Sequence, residues 1–233
     1  MMSFTPFLAG QEIDLADCAL VKSGRTRNVH AHENLPGLLI KTLQPGVVDA
    51  NGHIKAYQWW KKGRPHGAYF SFRREIDEFI VLCRRQYGRN LSILPFARIH
   101  GLVMTSAGLG LVVERISGKD GGLAPTMLDL IAAGQFERPH LQALDRFLAR
   151  CRDLHVVFGD LTINNIVYTQ VRDPQGEFVA IDGFGEKSAI PLHRWSRLLN
   201  DRKIERIRRR LILALPAKLK DKTGPAASRF TDA

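Results

Sequence analysis

The stretch from His155 to Glu186 holds the residues of this chain best suited to chemistry: Asp160, Asn165 and Asp182. Two carboxylates and an amide offer only hard oxygen donors, the set that holds a small divalent cation together with bound phosphates. An aspartate not needed by the cation is suited to orient or deprotonate a hydroxyl group. Such a site works only if the chain brings the three together. Asp173-Pro174-Gln175-Gly176 is a strong turn signal between two apolar runs, Ile166-Val167-Tyr168 and Phe178-Val179-Ala180-Ile181. A hairpin closing between Asp173 and Gly176 sets Asn165 opposite Phe184 and Asp182 opposite Val167. Asn165 and Asp182 then meet at the open end of the hairpin, with Asp160 on the loop just before it.

The elements that must carry this site follow from periodicity and breaker residues. Leu20-Val21-Lys22, Val29-His30-Ala31-His32 and Leu38-Leu39-Ile40-Lys41 read as short strands. A polar turn containing Gly24, Arg25 and Arg27 joins the first two, and Asn34-Leu35-Pro36-Gly37 joins the next two. Residues 44–68, rich in Gly and Pro and including Trp59 and Trp60, read as a loop or irregular insertion. The spacing predicts a helix over about 70–87, with Ile76, Phe79, Ile80 and Cys83 on its apolar stripe and Gly88 as its stop. Glu75 falls on the flank of that stripe and Glu78 nearly opposite it, toward solvent. Strands resume over 96–103 and 109–114, the second closing on Glu114. Gly118-Lys119-Asp120-Gly121-Gly122 is the best hinge in the sequence. Beyond it Thr126 caps a helix through Ala132, and Leu141, Leu144, Leu148 and Cys151 define an amphipathic helix ending near Leu154. The expected organisation is therefore a strand-rich part over 1–117, a helical part with the Asp160 loop over 118–215, and a basic, disordered tail over 216–233.

Composition narrows the function classes. The 233 residues carry 34 Lys and Arg against 23 Asp and Glu, a formal charge of +11, which favours anionic partners. No apolar run approaches the ~20 residues of a membrane helix, and the N-terminus lacks the basic and apolar succession of a signal peptide. Cys18, Cys83 and Cys151 form no disulfide framework and no metal pair, so a reducing cytoplasm is expected. Much of the positive charge falls from Arg194 onward, on a segment whose Leu198, Leu199, Ile204, Ile207, Leu211 and Leu213 have helical spacing. That helix either packs on the domain with its arginines in solvent or meets an acidic protein or an anionic membrane surface. Nucleic acid is the weakest of the anionic partners, because no RNA-binding, zinc or helix-turn-helix signature accompanies the charge.

Gly159-Asp160-Leu161 through Asn165 resembles the catalytic loop of kinases, D-x-x-x-x-N, and Ile181-Asp182-Gly183-Phe184-Gly185 is similar to their magnesium-binding D-F-G segment. Lys41 resembles the third-strand lysine that grips nucleotide phosphates, and Glu75, in Arg73-Arg74-Glu75-Ile76, its helical ion-pair partner. The resemblance implies an α+β, protein-kinase-like bilobal fold with a small antiparallel-sheet N-lobe and a minimal helical C-lobe. It implies ATP and Mg2+ as cofactors. Asp160, Lys41 and Glu75 would then be catalytic, Gly24, Arg25, Lys41 and Glu114 nucleotide-binding, and Asn165 and Asp182 metal ligands. The segment from Gly185 to Ser196, with the basic helix behind it, further resembles the YrbL family, named from the bacterial PhoP regulatory network. That resemblance covers about residues 20–215 and leaves the acceptor substrate open.

Departures from the kinase pattern bear on activity. Phe158-Gly159 replaces the usual His-Arg, and the Gly159-Asp160-Leu161 pattern resembles that of small-molecule kinases. Gly24 stands where three glycines are common, Gly183 adds a residue before Phe184, and Ile190-Pro191 follows too soon for a long activation segment. Two readings result: a phosphotransferase acting on a small molecule, saccharide or dedicated protein, and a catalytically inactive regulatory module that keeps the fold. Each residue also has a plainer reading. Lys41 would be a strand-end lysine, Glu75 a surface partner of Arg73 or Arg74, Asp160 and Asn165 turn residues, and His155 and the tryptophans packing groups.

Overall fold

A computed structural model describes residues 12–56, 65–89, 94–188 and 190–216. They fall into two compact units, Met1–Ile80 with Ala97–Ile116 and Val81–Phe96 with Ser117–Ala233. The tryptophans Trp59 and Trp60 and the tail beyond Pro216 lie outside the described residues.

In the first unit, β1 (Cys18–Ser23), β2 (Arg27–His32), β3 (Leu38–Leu43), β4 (Ile99–Thr105) and β5 (Gly108–Glu114) form one antiparallel sheet in the order β1-β2-β3-β5-β4. Strand β3 lies in the middle, and Ile40, Lys41, Thr42 and Leu43 are buried in succession, as in a strand covered on both faces. Ile13, Ile40, Val103 and Val112 make a core cluster, with Cys18 and Leu38 packed against it.

Between β3 and β4 in the chain comes α1 (Phe70–Arg85), and Gly88, at φ 77°, follows its end as predicted. Its rotation corrects the sequence reading. Ile80, expected on the apolar stripe, is 58% exposed, whereas Phe72, Glu75, Glu78 and Leu82 are buried. Glu78, expected in solvent, is only 1% exposed. Apolar periodicity misplaces this face because it treats a carboxylate as a solvent group. A carboxylate supplied with cations or donors can be buried instead.

The second unit is mostly helical. Its helices are α2 (Met127–Ala132), α3 (Arg138–Asp153), the short α4 (Leu192–Trp195) and α5 (Arg197–Leu213). Thr126 and Asp129 form a reciprocal capping box that starts α2 at the expected residue. Leu141, Leu144, Leu148 and Cys151 are buried on α3, which packs against α5 and the hairpin of β6 (Ile166–Thr169) and β7 (Glu177–Ala180). The strand expected from Phe96 begins at Ile99. Phe96 itself belongs to the second unit, where its ring stacks on Phe184 at 4.6 Å. Among the described residues no helix is long and apolar enough to cross a membrane.

Candidate active site

The hairpin that carries Asn165 and Asp182 forms, in a register shifted from the predicted one. Val167 faces Val179 and Ile166 faces Ala180, where a closure at Asp173–Gly176 would have set Val167 opposite Asp182. The predicted turn is present, with the Gly176 N–H donating to the Asp173 carbonyl at 2.8 Å. However, β6 ends early. The Thr169 hydroxyl donates to the Ser117 carbonyl at 2.7 Å and accepts from the Val171 N–H at 3.1 Å. Arg172 ion-pairs with Glu177 at 2.8 Å. These anchors hold residues 170–172 out of the ladder. The shift brings the site closer together, because the Asn165 carbonyl now accepts the Ile181 N–H at 2.9 Å, one residue before Asp182.

Asp160, Asn165 and Asp182 are joined through the backbone. The Asn165 side-chain amide donates to the Asp160 carbonyl at 3.2 Å. The N–H groups of Gly159 and Asp160 both donate to the Gly183 carbonyl, at 2.8 and 2.9 Å. The Asp182 carboxylate accepts the N–H of Gly183 at 2.5 Å. Gly183 is the hub. At φ +83° it occupies the left-handed region, and a Cβ there would lie 2.3 Å from the Asp160 carbonyl oxygen and 3.2 Å from Asn165 Nδ2. The residue that looked like an insertion in the D-F-G pattern is therefore the one that lets the two segments touch. Phe184, next along, is buried and bridged to Phe158.

In the first unit Lys41 and Glu75 also meet. Lys41 Nζ lies 3.0 Å from Glu75 Oε2, and the carboxylate is 0% exposed. The surface pairing of Glu75 with its helical neighbours does not form, since Arg73 pairs with Asp77 at 3.2 Å. Sequence reading missed the second cation. Arg27, read from the sequence as part of the polar turn with Gly24, places NH1 2.6 Å from Glu75 Oε1, and its guanidinium sits 6.0 Å from the Phe72 ring centroid. The β2–β3 pairing, which sets Val29 beside Lys41 and Arg27 beside Leu43, delivers both cations to α1. Gly24 and Arg25 lie at the β1–β2 turn, with the Gly24 N–H donated to the Arg27 carbonyl at 2.8 Å and Arg25 exposed. The Glu114 carboxylate accepts the Arg98 N–H at 3.1 Å.

Two further cations reach the Asp160 loop, and no local sequence signal marks either. Lys187 Nζ is 3.0 Å from Asp160 Oδ2, with both side chains about half exposed. Arg210, on α5, donates to the Leu161 carbonyl. Just before Lys187, buried Glu186 is held by His193 at 3.1 Å and Lys203 at 4.0 Å. His155 has the structural role expected of it. At φ 52° its ring Nε2 donates to the His193 carbonyl at 2.8 Å, while its own carbonyl accepts from Arg85 at 2.7 Å. Burial pushes its pKa down despite that hydrogen bond.

The donor set near Gly183 suits a hard cation. With Asn165 Nδ2 fixed on Asp160, the Asn165 amide oxygen and the Asp182 carboxylate are the side-chain oxygen donors that the two segments offer. Among the described residues no group of three or more His, Cys, Asp or Glu side chains is placed to hold a metal alone.

A five-stranded antiparallel sheet, a helix returning a glutamate to the β3 lysine, and a helical unit in which the Asp160–Asn165 loop is bonded to the segment after Asp182 define a protein of kinase-like fold. Residues 13–216 match the family of the PhoP regulatory network protein YrbL, and the chain belongs to that family. It is 32% identical to YrbL of Escherichia coli K12 over 160 residues, covering 66% of this chain and 72% of that protein, and the same holds for YrbL of Shigella flexneri. Among solved structures it is similar to WbdD co-crystallised with a kinase inhibitor, at 14% identity and a TM-score of 0.45. A high-resolution WbdD structure gives 14% and 0.46. The chain spans 46% of the length of each of these WbdD chains, which cover 86% and 85% of it.

Proposed function

We propose that this protein is an ATP- and Mg2+-dependent phosphotransferase acting in the cytoplasm. The observation that carries the reading is the junction at Gly183, where the loop bearing Asp160 and Asn165 is hydrogen-bonded to the segment bearing Asp182. The buried Lys41–Glu75 pair supports it independently. In this reading Lys41, aligned by Glu75, holds the α- and β-phosphates. Asn165 and Asp182 hold Mg2+, which when bound neutralises charge on the transferring phosphoryl group. Asp160 accepts the acceptor's hydroxyl proton. The hydroxyl oxygen bonds to the γ-phosphorus, the bond to the β–γ bridging oxygen breaks, and ADP leaves. Lys187 pairs with the Asp160 carboxylate until the acceptor displaces it. The acceptor is a small alcohol, a saccharide or one dedicated protein, because only residues 186–191 separate Gly185 from α4 and leave no long segment for peptide docking.

A regulatory module without turnover is the second reading, and one observation favours it. The Gly24 N–H, which a phosphate-covering loop would offer to a nucleotide, is donated to Arg27. ADP formation from ATP and Mg2+, measured across a panel of hydroxyl compounds, separates the two. The phosphotransferase predicts turnover that falls about 10²–10⁴-fold in Asp160→Asn with nucleotide binding retained. Turnover that is absent with every acceptor, or equal in wild type and variant, supports the regulator.

A further inference from the structure

The outer face of α5 has a pattern that neither packing nor phosphoryl transfer requires. The inner face carries buried Asn200, Ile204, Ile207 and Leu211. Several of its cations serve the second unit: Lys203 lies 4.0 Å from Glu186, Arg208 pairs with Asp145 at 3.0 Å, and Arg210 reaches the Leu161 carbonyl. Leu198, Arg202, Arg206, Arg209 and Leu213 are all exposed, with Arg209 in a solvent-facing pair with Glu205 at 3.4 Å. At about 100° per residue they fall within an arc of about 80°, so they form one stripe along the helix. Leu198 and Leu213 are 61% and 71% exposed, and Trp195, just before the helix, is 71% exposed. Three arginines thus occupy the middle of the line, with large apolar side chains at its ends.

We infer that this stripe is a docking surface for an anionic lipid bilayer. The order of residues along it decides among anionic partners. A protein interface has an apolar core depleted of charge and a polar rim, and this stripe has the reverse arrangement. Nucleic acid would use the arginines but gives exposed leucines and a tryptophan nothing to contact. A bilayer surface takes both, because headgroup phosphates meet the guanidinium groups while leucine and tryptophan side chains enter the boundary below them. The formal charge of +11 adds long-range attraction to the same surface.

The test is sedimentation of the full chain with vesicles of phosphatidylcholine alone and with a third phosphatidylglycerol, at moderate salt. Binding is expected to the anionic vesicles and not to the neutral ones. Replacing Arg202, Arg206 and Arg209 by glutamine together should weaken it about a hundredfold, at about fivefold per cation. Leu198→Ser with Leu213→Ser should weaken it severalfold. The substituted side chains are exposed, so unchanged thermal melting shows that each variant is folded. A control that replaces the exposed Lys22, Arg89 and Lys119 by glutamine should retain binding. Equal loss in the control reduces the effect to net charge and overturns the assignment. So does absence of binding to anionic vesicles, or stripe-dependent retention on polyglutamate without vesicle binding, which would identify an acidic protein instead.

Discussion

Two lysine–carboxylate pairs in this molecule have the same length and opposite surroundings. Lys41–Glu75 and Lys187–Asp160 are both 3.0 Å apart. The first is buried, with Glu75 at 0% and Lys41 at 8% side-chain exposure, and the second is about half exposed on both sides. Distance therefore says little about what each pair does. Buried Glu75 must be matched by cations, and Arg27 and Lys41 together supply them. Asp160 has no such requirement. Water screens it, so Lys187 can exchange for an incoming group at small cost. Under the proposed function the buried pair is the fixed holder of phosphate, and the exposed one the carboxylate that engages the acceptor.

The comparison is broken most severely by Glu75→Ala, which leaves Arg27 and Lys41 without their shared carboxylate. It should cost about 3–5 kcal/mol in denaturant unfolding. A cost as small as that of a surface pair would show that the triad is solvated. Next comes Gly183→Ala, which combines left-handed strain with a 2.3 Å approach to the Asp160 carbonyl. About 2–3 kcal/mol is expected. Gly88→Ala, at φ +77° with nothing within 4 Å, should cost only the strain, about 1 kcal/mol. Equal losses at the two glycines would remove the special role of Gly183.

A milder perturbation acts on both units. Burial lowers the pKa of His30 in the first and His155 in the second below the ordinary 6.5. The unfolded chain then binds protons first as pH falls. Their contribution is fully present above pH 6.5 and is lost as pH drops through the folded values. Melting temperature should fall between about pH 7 and pH 5, and less so in His155→Asn, whose side chain tolerates the positive φ. The smallest effect belongs to Lys187→Ala, which should change stability by no more than about 1 kcal/mol. A larger loss would mean that the exposed pair is structural after all.

What could be read from the sequence was whatever local chemistry encodes. The Asp173–Gly176 turn, the Thr126 cap, the Gly88 stop and the α3 stripe all declare themselves within a few residues. So did the partnership of Lys41 with Glu75, through resemblance rather than spacing. The hairpin register was missed because it depends on Thr169 holding Ser117 and on Arg172 bonding the Leu94 carbonyl at 2.5 Å, contacts distant in the chain. Burial of Glu78 and the pairing of Arg27 were missed for a related reason. A charged residue reads as exposed until the partner that makes its burial tolerable is known. Lys187 and Arg210 reach the Asp160 loop from 27 and 49 residues away, which no motif records.

The measurement closest to the central claim is calorimetric titration of ATP into the wild-type protein and Asp182→Ala, each with and without Mg2+. The account predicts that Mg2+ tightens ATP binding to the wild type and does nothing for the variant, whose metal-free affinity is unchanged. Wild-type protein that binds no ATP, or binds it equally with and without Mg2+, would contradict it.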